Sequence, residues 1–403
     1  MSDKARTPVI ASTARTPIGR FLGGLSPLAA TDLGAVVVKA AIQRAGIEAS
    51  VLDEVILGNV LQGGGGQAPA RQAAIHAGVP GTVPAVTINK VCGSGLKAVM
   101  LAAQAIRAGD LRVAIAGGLE SMSNVPFYLR GIRDGVKLGD QKLIDGLVHD
   151  GLWCSFGACH MGGHAEYTAD KAGITRDDAD AFALRSHEKA IAAIEGGKFA
   201  DEIVPVTIPG RKGDTVVDTD EAPRADTSME ALARLRPAFP RDAPEGIEEL
   251  VVTAGNAPGL NDGAAALVVC SEDFAEAQGL TIRARITGYA AGGGEPKDLF
   301  FAPIQAVRNL MEKTGATIGD YDLIEVNEAF AVQAIADMRE LGMDEERVNV
   351  HGGAVALGHP IGASGARILV TLIHAMEDRD ESTGLATLCL GGGNAVALSV
   401  ERV

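Results

Sequence analysis

Basic clusters are missing from this sequence. Its formal net charge is -15, and no run of lysines and arginines interrupts the acidic balance. That argues against nucleic acid and against an anionic membrane surface as partners. Long apolar runs are missing too, so no segment is expected to span a bilayer. Met1 to Arg20 mixes charges with prolines and has no continuous apolar core, so no secretory signal is expected there. The ending Ser399-Val400-Glu401-Arg402-Val403 carries no recognisable address. Cysteine is scarce, with five residues at Cys92, Cys154, Cys159, Cys270 and Cys389. An odd, scattered set suits free thiols in a reducing cytoplasm and excludes a disulfide framework. Cys154, Cys159 and His160 crowd together without paired Cys-x-x-Cys spacing, so no metal is expected. Gly63 to Gly66 has no Lys-Ser or Lys-Thr after it, which excludes a phosphate-binding loop and leaves a tight turn.

What is present is an ordinary globular balance, 47% apolar and 22% charged, over 403 residues. That length is too great for one core, so two or three domains are expected. The first part alternates helix and strand, an α/β pattern. Ala29 to Ala45 reads as a helix closed by Gly46, with Thr31 or Asp32 near its start. Val55 to Leu57 reads as a strand and Arg71 to His76 as a short helix. The apolar run Val83 to Ile88 leads into a glycine-rich turn, and Leu96 to Ala108 reads as a helix closed by Gly109. Val113 to Ala116 reads as a buried strand ending in Gly117-Gly118. Residues 124–250 are more charged and irregular. They carry one amphipathic helix, Asp177 to Glu195, a hairpin around Arg211 to Asp214, and a helix near Ser228 to Leu235 capped by Thr227. This stretch reads as an insertion packed over a core.

The α/β alternation resumes near residue 251 and echoes the first part three times in the same order. Val348 to Arg367 resembles Thr87 to Met100. Ala386 to Gly393 resembles Ala114 to Gly118, and Asp322 to Asn327 resembles Asp53 to Asn59. Ordered self-similarity predicts a duplicated α/β unit. Related halves bring the turns at matching strand ends into one cleft, which places Cys92, Asn327, His359 and Cys389 together.

Each of these residues suits one chemical role. Cys92 lies in Asn89-Lys90-Val91-Cys92-Gly93-Ser94-Gly95-Leu96, at a strand-to-helix junction. A place in the first helical turn lowers a thiol's pKa and makes it a nucleophile; a buried structural cysteine is the competing reading. His359 sits in the rigid turn Gly358-His359-Pro360-Ile361-Gly362, suited to take the thiol proton. Cys389 precedes Leu390-Gly391-Gly392-Gly393 and is expected to be exposed at a turn as a second acid/base. Asn327 begins Asn327-Glu328-Ala329-Phe330, either as a helix cap or as the holder of an oxyanion-binding water. The N–H groups of Cys92 and Gly391 offer a second oxyanion site.

Those stretches, together with Gly117-Gly118-Leu119-Glu120-Ser121-Met122-Ser123, resemble the motifs of the thiolases along nearly the whole chain. The resemblance implies a duplicated, five-layered αβαβα thiolase fold with an inserted loop domain. It divides the chain into an N-terminal half (1–123 and 251–275), the inserted domain (124–250) and a C-terminal half (276–403). It implies that Cys92 is acylated by an acyl-CoA, that His359 activates it, and that Cys389 deprotonates a second acetyl-CoA for Claisen condensation. It implies that Asn327 holds an oxyanion-hole water beside His359. Coenzyme A contacts carry over to Leu152, His160, Met161, Arg224, Phe239, Ala254 and Phe330, with coenzyme A as substrate and product and no other cofactor. Arg211, Lys212 and Arg224 are candidates to meet its phosphates. Two positions depart from the family's pattern: Pro258 after Gly255-Asn256-Ala257, where a serine is usual, and Asn394-Ala395 after the glycine triplet. The resemblance also implies a homodimer or homotetramer; the cytoplasmic location is the expectation from the free cysteines.

Gly157-Ala158-Cys159-His160-Met161-Gly162 is similar to the short-chain, acetoacetyl-CoA branch of the family. A bulky His160 beside Met161 narrows the acyl end of the cleft, although Pro258 and the pair Phe300-Phe301 bear on its shape. A broad-specificity 3-ketoacyl-CoA thiolase is the alternative. A ketoacyl-carrier-protein synthase is disfavoured by Cys389, and a non-catalytic lipid-binding relative by the retention of every catalytic position.

Overall fold

The computed structural model describes residues 3–403. Nine strands of four to eleven residues build one mixed sheet: β1 (Pro8–Arg15), β2 (Glu54–Gly58), β3 (Ala85–Ile88), β4 (Val113–Ser121), β5 (Asn261–Ser271), β6 (Ala284–Gly293), β7 (Leu323–Val326), β8 (Thr383–Leu390) and β9 (Asn394–Arg402). Their order is β7-β8-β9-β6-β1-β5-β4-β2-β3, with the two-residue strand Gly19–Arg20 added beside β5. The same pairing rule occurs twice. In the first half β2 lies parallel to β3 and β4, and β5 lies antiparallel to β4 and β1. In the second half β7 lies parallel to β8 and bridges in parallel to Val348, while β9 lies antiparallel to β8 and β6. A short antiparallel seam, Val9 opposite Arg285 and Ile10 opposite Ala284, joins the two. The three sequence echoes are thus matching strands of a duplicated unit.

Alternation along the strands sorts the cores into layers. In β4, Val113 and Ile115 face the helices α1 (Ala30–Ala45) and α2 (Pro69–His76). Ala114 and Ala116 face the opposite core, with α3 (Ser94–Ala108) and α8 (Ile361–Arg379). Both faces of β4 and β5 are covered, and every residue in them is buried. A further helix, α6 (Ala302–Thr314), covers β6 and β9 from the far side. The result is five layers, with α3 and α8 in the middle. Ile361 to Met376 of α8 is buried around its whole circumference, as a central helix must be.

The contact between α3 and α8 fixes the site. A Cβ at Gly95 would lie 2.7 Å from the Ala366 nitrogen, and one at Gly365 would lie 2.4 Å from the Leu96 nitrogen. Only glycine allows the two backbones this close. The N-terminal ends of the two helices are therefore held side by side, and Cys92 and His359 lie just ahead of them.

Several local expectations need adjusting. The helix after Cys92 starts at Ser94 with Gly93 as its cap, so Cys92 lies outside the first turn. Gly117 and Gly118 fall inside β4 instead of ending it. A Cβ on Gly117 would meet the Ala265 oxygen at 2.1 Å and one on Gly118 the Gly362 oxygen at 2.0 Å. The short helix Met229–Ala233 is capped by Ser228, whose hydroxyl accepts from the Ala231 nitrogen, and not by Thr227.

Residues 124–250 hold α4 (Met161–Ala172) and α5 (Arg176–Glu195), the latter opened by a reciprocal Thr175/Asp178 cap. The Arg211–Asp214 hairpin forms between Val206–Ile208 and Thr215–Val217. This region is tied to β1 by Arg15, which is fully buried between Glu202 at 2.5 Å and Asp220 at 2.7 Å. Removing one partner of such a set costs about 3–5 kcal/mol, because a buried charge is left uncompensated.

Candidate active site

A cavity of about 600 Å³ opens where α3, α8 and the ends of β8 and β9 meet, and Cys92, His359, Cys389 and Gly391 all line it. So do Leu152, His160, Met161, Phe239 and Phe330. Its wall carries a row of rings: His160 stacks on Phe239 at 4.6 Å, and Phe330 meets Phe239 and Phe300 edge to face at 6.2 and 5.3 Å. Gly162 makes room for this row, since a Cβ there would lie 2.1 Å from the Phe239 ring. Arg224 and Ala254 do not line this cavity. They line an adjoining groove that shares Phe21, Ala257, Gly259 and Leu260 with it. Arg211 and Lys212 are exposed at their hairpin tip and line neither. The reading of the sequence missed several apolar wall residues, among them Phe21, Met122, Leu147, Leu260 and Ile361. They come from five separate segments, and no local pattern joins them.

His359 is held on three sides. Its backbone N–H donates to Asn261 Oδ1 at 2.8 Å, and Asn261 Nδ2 donates to the Gly19 oxygen at 3.0 Å. Gly358, with φ of 111°, takes the turn past that amide. The ring Nδ1 lies 2.6 Å from Ser364 Oγ, and Ser364 Oγ donates to the Pro360 oxygen at 2.9 Å. A hydroxyl has one proton, and a carbonyl only accepts. With the hydroxyl proton assigned to the Pro360 oxygen, Nδ1 carries the ring proton and donates to Ser364, leaving a lone pair on Nε2. That Nε2 is buried and has no hydrogen-bond partner among the described residues. Burial and, secondarily, Arg367 lower the ring's pKa to about 3, so it is a neutral base at neutral pH. Ser364→Ala is expected to slow acetylation of Cys92 by about two- to tenfold, the value of one neutral hydrogen bond. Rapid-quench measurement of the acetyl-enzyme checks this.

The expected low pKa of Cys92 is not found. Burial pushes the thiol up to about 12, and Glu120 adds to the rise. The backbone N–H groups of Cys92 and Gly391 pull in the other direction. Desolvation wins because the residue precedes the helix and is partly buried in the cavity wall. Cys92 is thus a thiol at rest, and its proton must leave as the attack proceeds. Cys389 is also buried, not exposed at a turn. Burial raises its pKa well above the ordinary value, with further contributions from Cys92 and Asp337.

Asn327 is not a helix cap, because the following helix, α7 (Ala331–Leu341), is capped by Phe330. Its N–H donates to the Thr387 oxygen, while both atoms of its side-chain amide are buried without a partner among the described residues. The neighbouring Glu328 accepts from Asn349, Ser186 and Val355. Unpaired buried polar atoms are rare. Three of the ten such side-chain atoms among the described residues are Asn327 Oδ1 and Nδ2 and His359 Nε2. Of these residues only His359 lines the cavity, and its free Nε2 suits a site that completes its hydrogen bonds with substrate or water.

Glu120, named in the sequence only as part of a motif, binds these pieces together. Its carboxylate accepts from Asn59 Nδ2 at 2.7 Å and from the N–H groups of Val60, Leu61 and Gly362 at 3.0–3.2 Å. It thereby pins the start of α8, and with it the His359 turn, to the end of β2. The assembled groups are two thiols, a neutral imidazole with a free lone pair, and N–H donors beside the sulfur. That set performs acyl transfer through a cysteine.

Comparison with known proteins agrees with this chemistry. The model for "Thiolase, N-terminal domain" matches residues 8–273, and that for "Thiolase, C-terminal domain" matches residues 280–402. The acetyl-CoA acetyltransferase of Pseudomonas aeruginosa is 54% identical over 395 residues, covering 98% of this chain and 99% of that one. The acetyl-CoA acetyltransferase of Thiocystis violacea is 54% identical over 404 residues, covering 100% of both. The crystal structure of the Bacillus anthracis acetyl-CoA acetyltransferase superposes with a TM-score of 0.95 at 44% identity over 100% of both chains.

Proposed function

The chain belongs to the thiolase family, and we propose that it catalyses the reversible Claisen condensation of two acetyl-CoA molecules to acetoacetyl-CoA and coenzyme A. One observation carries this reading: the thiols of Cys92 and Cys389 share one cavity with the unpartnered Nε2 of His359. In the first half-reaction His359 Nε2 takes the Cys92 proton as the sulfur attacks the thioester carbonyl. The N–H groups of Cys92 and Gly391 receive the developing oxyanion. The leaving coenzyme A thiolate regains a proton from the imidazolium, and acetyl-Cys92 remains. In the second half-reaction the neutral His359 Nε2 takes the Cys389 proton, and the resulting thiolate removes a methyl proton from the next acetyl-CoA. The enolate oxygen is stabilised at Asn327 and the imidazolium. The carbanion attacks acetyl-Cys92, releasing acetoacetyl-CoA, and the imidazolium finally returns its proton to the departing Cys92 sulfur to give the free thiol.

The site residues support these roles by position. Leu152, His160, Met161, Phe239 and Phe330 form a mostly apolar passage suited to the pantetheine arm and acyl group. Arg224, with Ala254, lies in the adjoining groove, where its charge suits a phosphate of the nucleotide. Pro258 lines the cavity and offers neither a hydroxyl nor an N–H to the arm. Among the described residues no helix is long and apolar enough to cross a membrane. A homodimeric or homotetrameric cytoplasmic enzyme is part of this reading.

Short acyl chains are the favoured substrates, since His160 and Met161 stand at the cavity wall and the relatives above bear the acetyl-CoA name. The value of kcat/KM for thiolysis is expected to be highest with acetoacetyl-CoA and to fall toward 3-ketohexadecanoyl-CoA. Each methylene that does not fit is worth about 1–3 kcal/mol. Initial rates on a graded series check this, and a flat or rising profile contradicts it.

A further inference from the structure

Two cysteines outside the catalytic pair face each other beside the cavity. Trp153–Cys154 and Cys159–His160 form a small antiparallel ladder in which Cys154 stands directly opposite Cys159. Residues opposed in this way have Cα atoms about 4.5–5.5 Å apart, within the roughly 4.4–6.8 Å span of disulfides. Their side chains leave the same face of the ladder. Both thiols are free. Both also lie against Gly157, whose N–H donates to Cys154 Sγ at 3.2 Å. A Cβ on Gly157 would lie 3.3 Å from Cys159 Sγ. Cys154 is buried, whereas Cys159 is partly exposed next to the exposed loop 155–158.

A base accompanies them. His164 Nε2 is buried, has no hydrogen-bond partner among the described residues, and lies 2.9 Å from the same Gly157 Cβ position. The ring hydrogen-bonds the backbone of Lys297, and burial keeps it neutral. Burial, with Cys154 and Asp242 nearby, raises the Cys159 thiol's proton affinity. The free His164 lone pair, close by but hydrogen-bonded to neither thiol, is the base available to take that proton as the hairpin moves. None of these three groups has a part in acyl transfer. The hairpin nevertheless belongs to the active-site wall. Leu152, His160 and Met161 flank its strands and line the cavity. Phe156 at its tip covers the catalytic glycine turn, its ring 3.2 Å from where a Gly392 Cβ would lie.

We propose that Cys154 and Cys159 are a redox-sensitive dithiol that a small-molecule disulfide closes to an intramolecular disulfide, and that closure restrains the cavity wall and slows acyl transfer. His164 Nε2 takes the Cys159 proton, and the thiolate attacks one sulfur of the oxidant. The oxidant's S–S bond breaks, and its other half leaves as a thiolate. Cys154 then attacks the Cys159 sulfur and expels the second half. The two cysteines lose two electrons, and the oxidant becomes two thiols carrying the two displaced protons.

The test incubates the full-length enzyme with glutathione disulfide, quenches with acid, alkylates free thiols and maps peptides by mass. The expected product is a Cys154–Cys159 cross-link with Cys92, Cys270 and Cys389 alkylated. Thiolysis of acetoacetyl-CoA should fall on the order of tenfold, as small displacements of a positioned site do. It should recover in dithiothreitol, and Cys159→Ser should be indifferent to the oxidant. The mass map needs no variant and no assumption about the reaction. Recovery of both cysteines alkylated while other thiols are oxidised would overturn the proposal, as would a cross-link with unchanged kinetics.

Discussion

Cys92→Ser should lose acetoacetyl-CoA formation by a factor on the order of 10⁴–10⁶, the scale on which losing a nucleophile is felt. The reason lies in the resting protonation. Burial already holds the Cys92 thiol near 12, and the neutral His359 can take its proton only because sulfur forms and stabilises the anion readily. A hydroxyl in the same place is harder to deprotonate, and the desolvated surroundings penalise its anion further. The substitution should leave the fold intact, because the backbone N–H groups of Cys92 and Gly391 and the α3–α8 contact are untouched. Steady-state rates in both directions, with thermal unfolding as control, measure this. Near-normal turnover would mean that another group carries the acyl chain.

Cys389→Ser separates the two half-reactions. Acetylation of Cys92 by acetyl-CoA should proceed close to the normal rate, while condensation should fall about 10²–10⁴-fold, the contribution of one positioned acid/base. Cys389 is at the end of β8, buried, on the same cavity wall, with Cys92 and Asp337 near enough to raise its proton affinity. A thiol that holds its proton tightly at rest becomes a strong base once it has lost that proton. A single-turnover experiment, with acetylation and acetoacetyl-CoA release followed separately, shows the split. Equal loss of both steps would place Cys389 in a structural role instead.

The parts of the site that the sequence revealed are those set by restricted backbones. The glycines around Cys92, the Gly-Pro frame of His359 and the glycine triplet after Cys389 each force a turn at a strand or helix end. Pairing rules then bring such ends together, so the cavity shared by Cys92, His359 and Cys389 followed from the three echoes, whereas Asn327, expected beside them, is fully buried and does not line it. What was not legible depends on neighbours distant in the chain. The direction of the Cys92 shift is decided by its partial burial in a cavity wall built from distant segments, not by the helix it precedes. Asn327 looked like a cap because asparagine often is one, yet Phe330 takes that place. Arg224 and Ala254 belong to an adjoining groove because of the path taken by residues 222–258, which carries no periodic pattern. Gly117 and Gly118 looked like a turn, but they are strand positions where the backbones of β5 and α8 approach too closely for any side chain. Ser364 could have been found: a hydroxyl five residues after a histidine, one turn into the next helix, is within reach of the ring.

The most direct measurement is the site of acylation. The enzyme is mixed with acetyl-CoA alone, quenched in acid and digested, and the peptides are sequenced by mass spectrometry. The account predicts one acetyl group per chain, on Cys92, discharged when coenzyme A is added before the quench. A stable acetyl group on any other residue, or none on Cys92 while acetoacetyl-CoA is still formed, would contradict it.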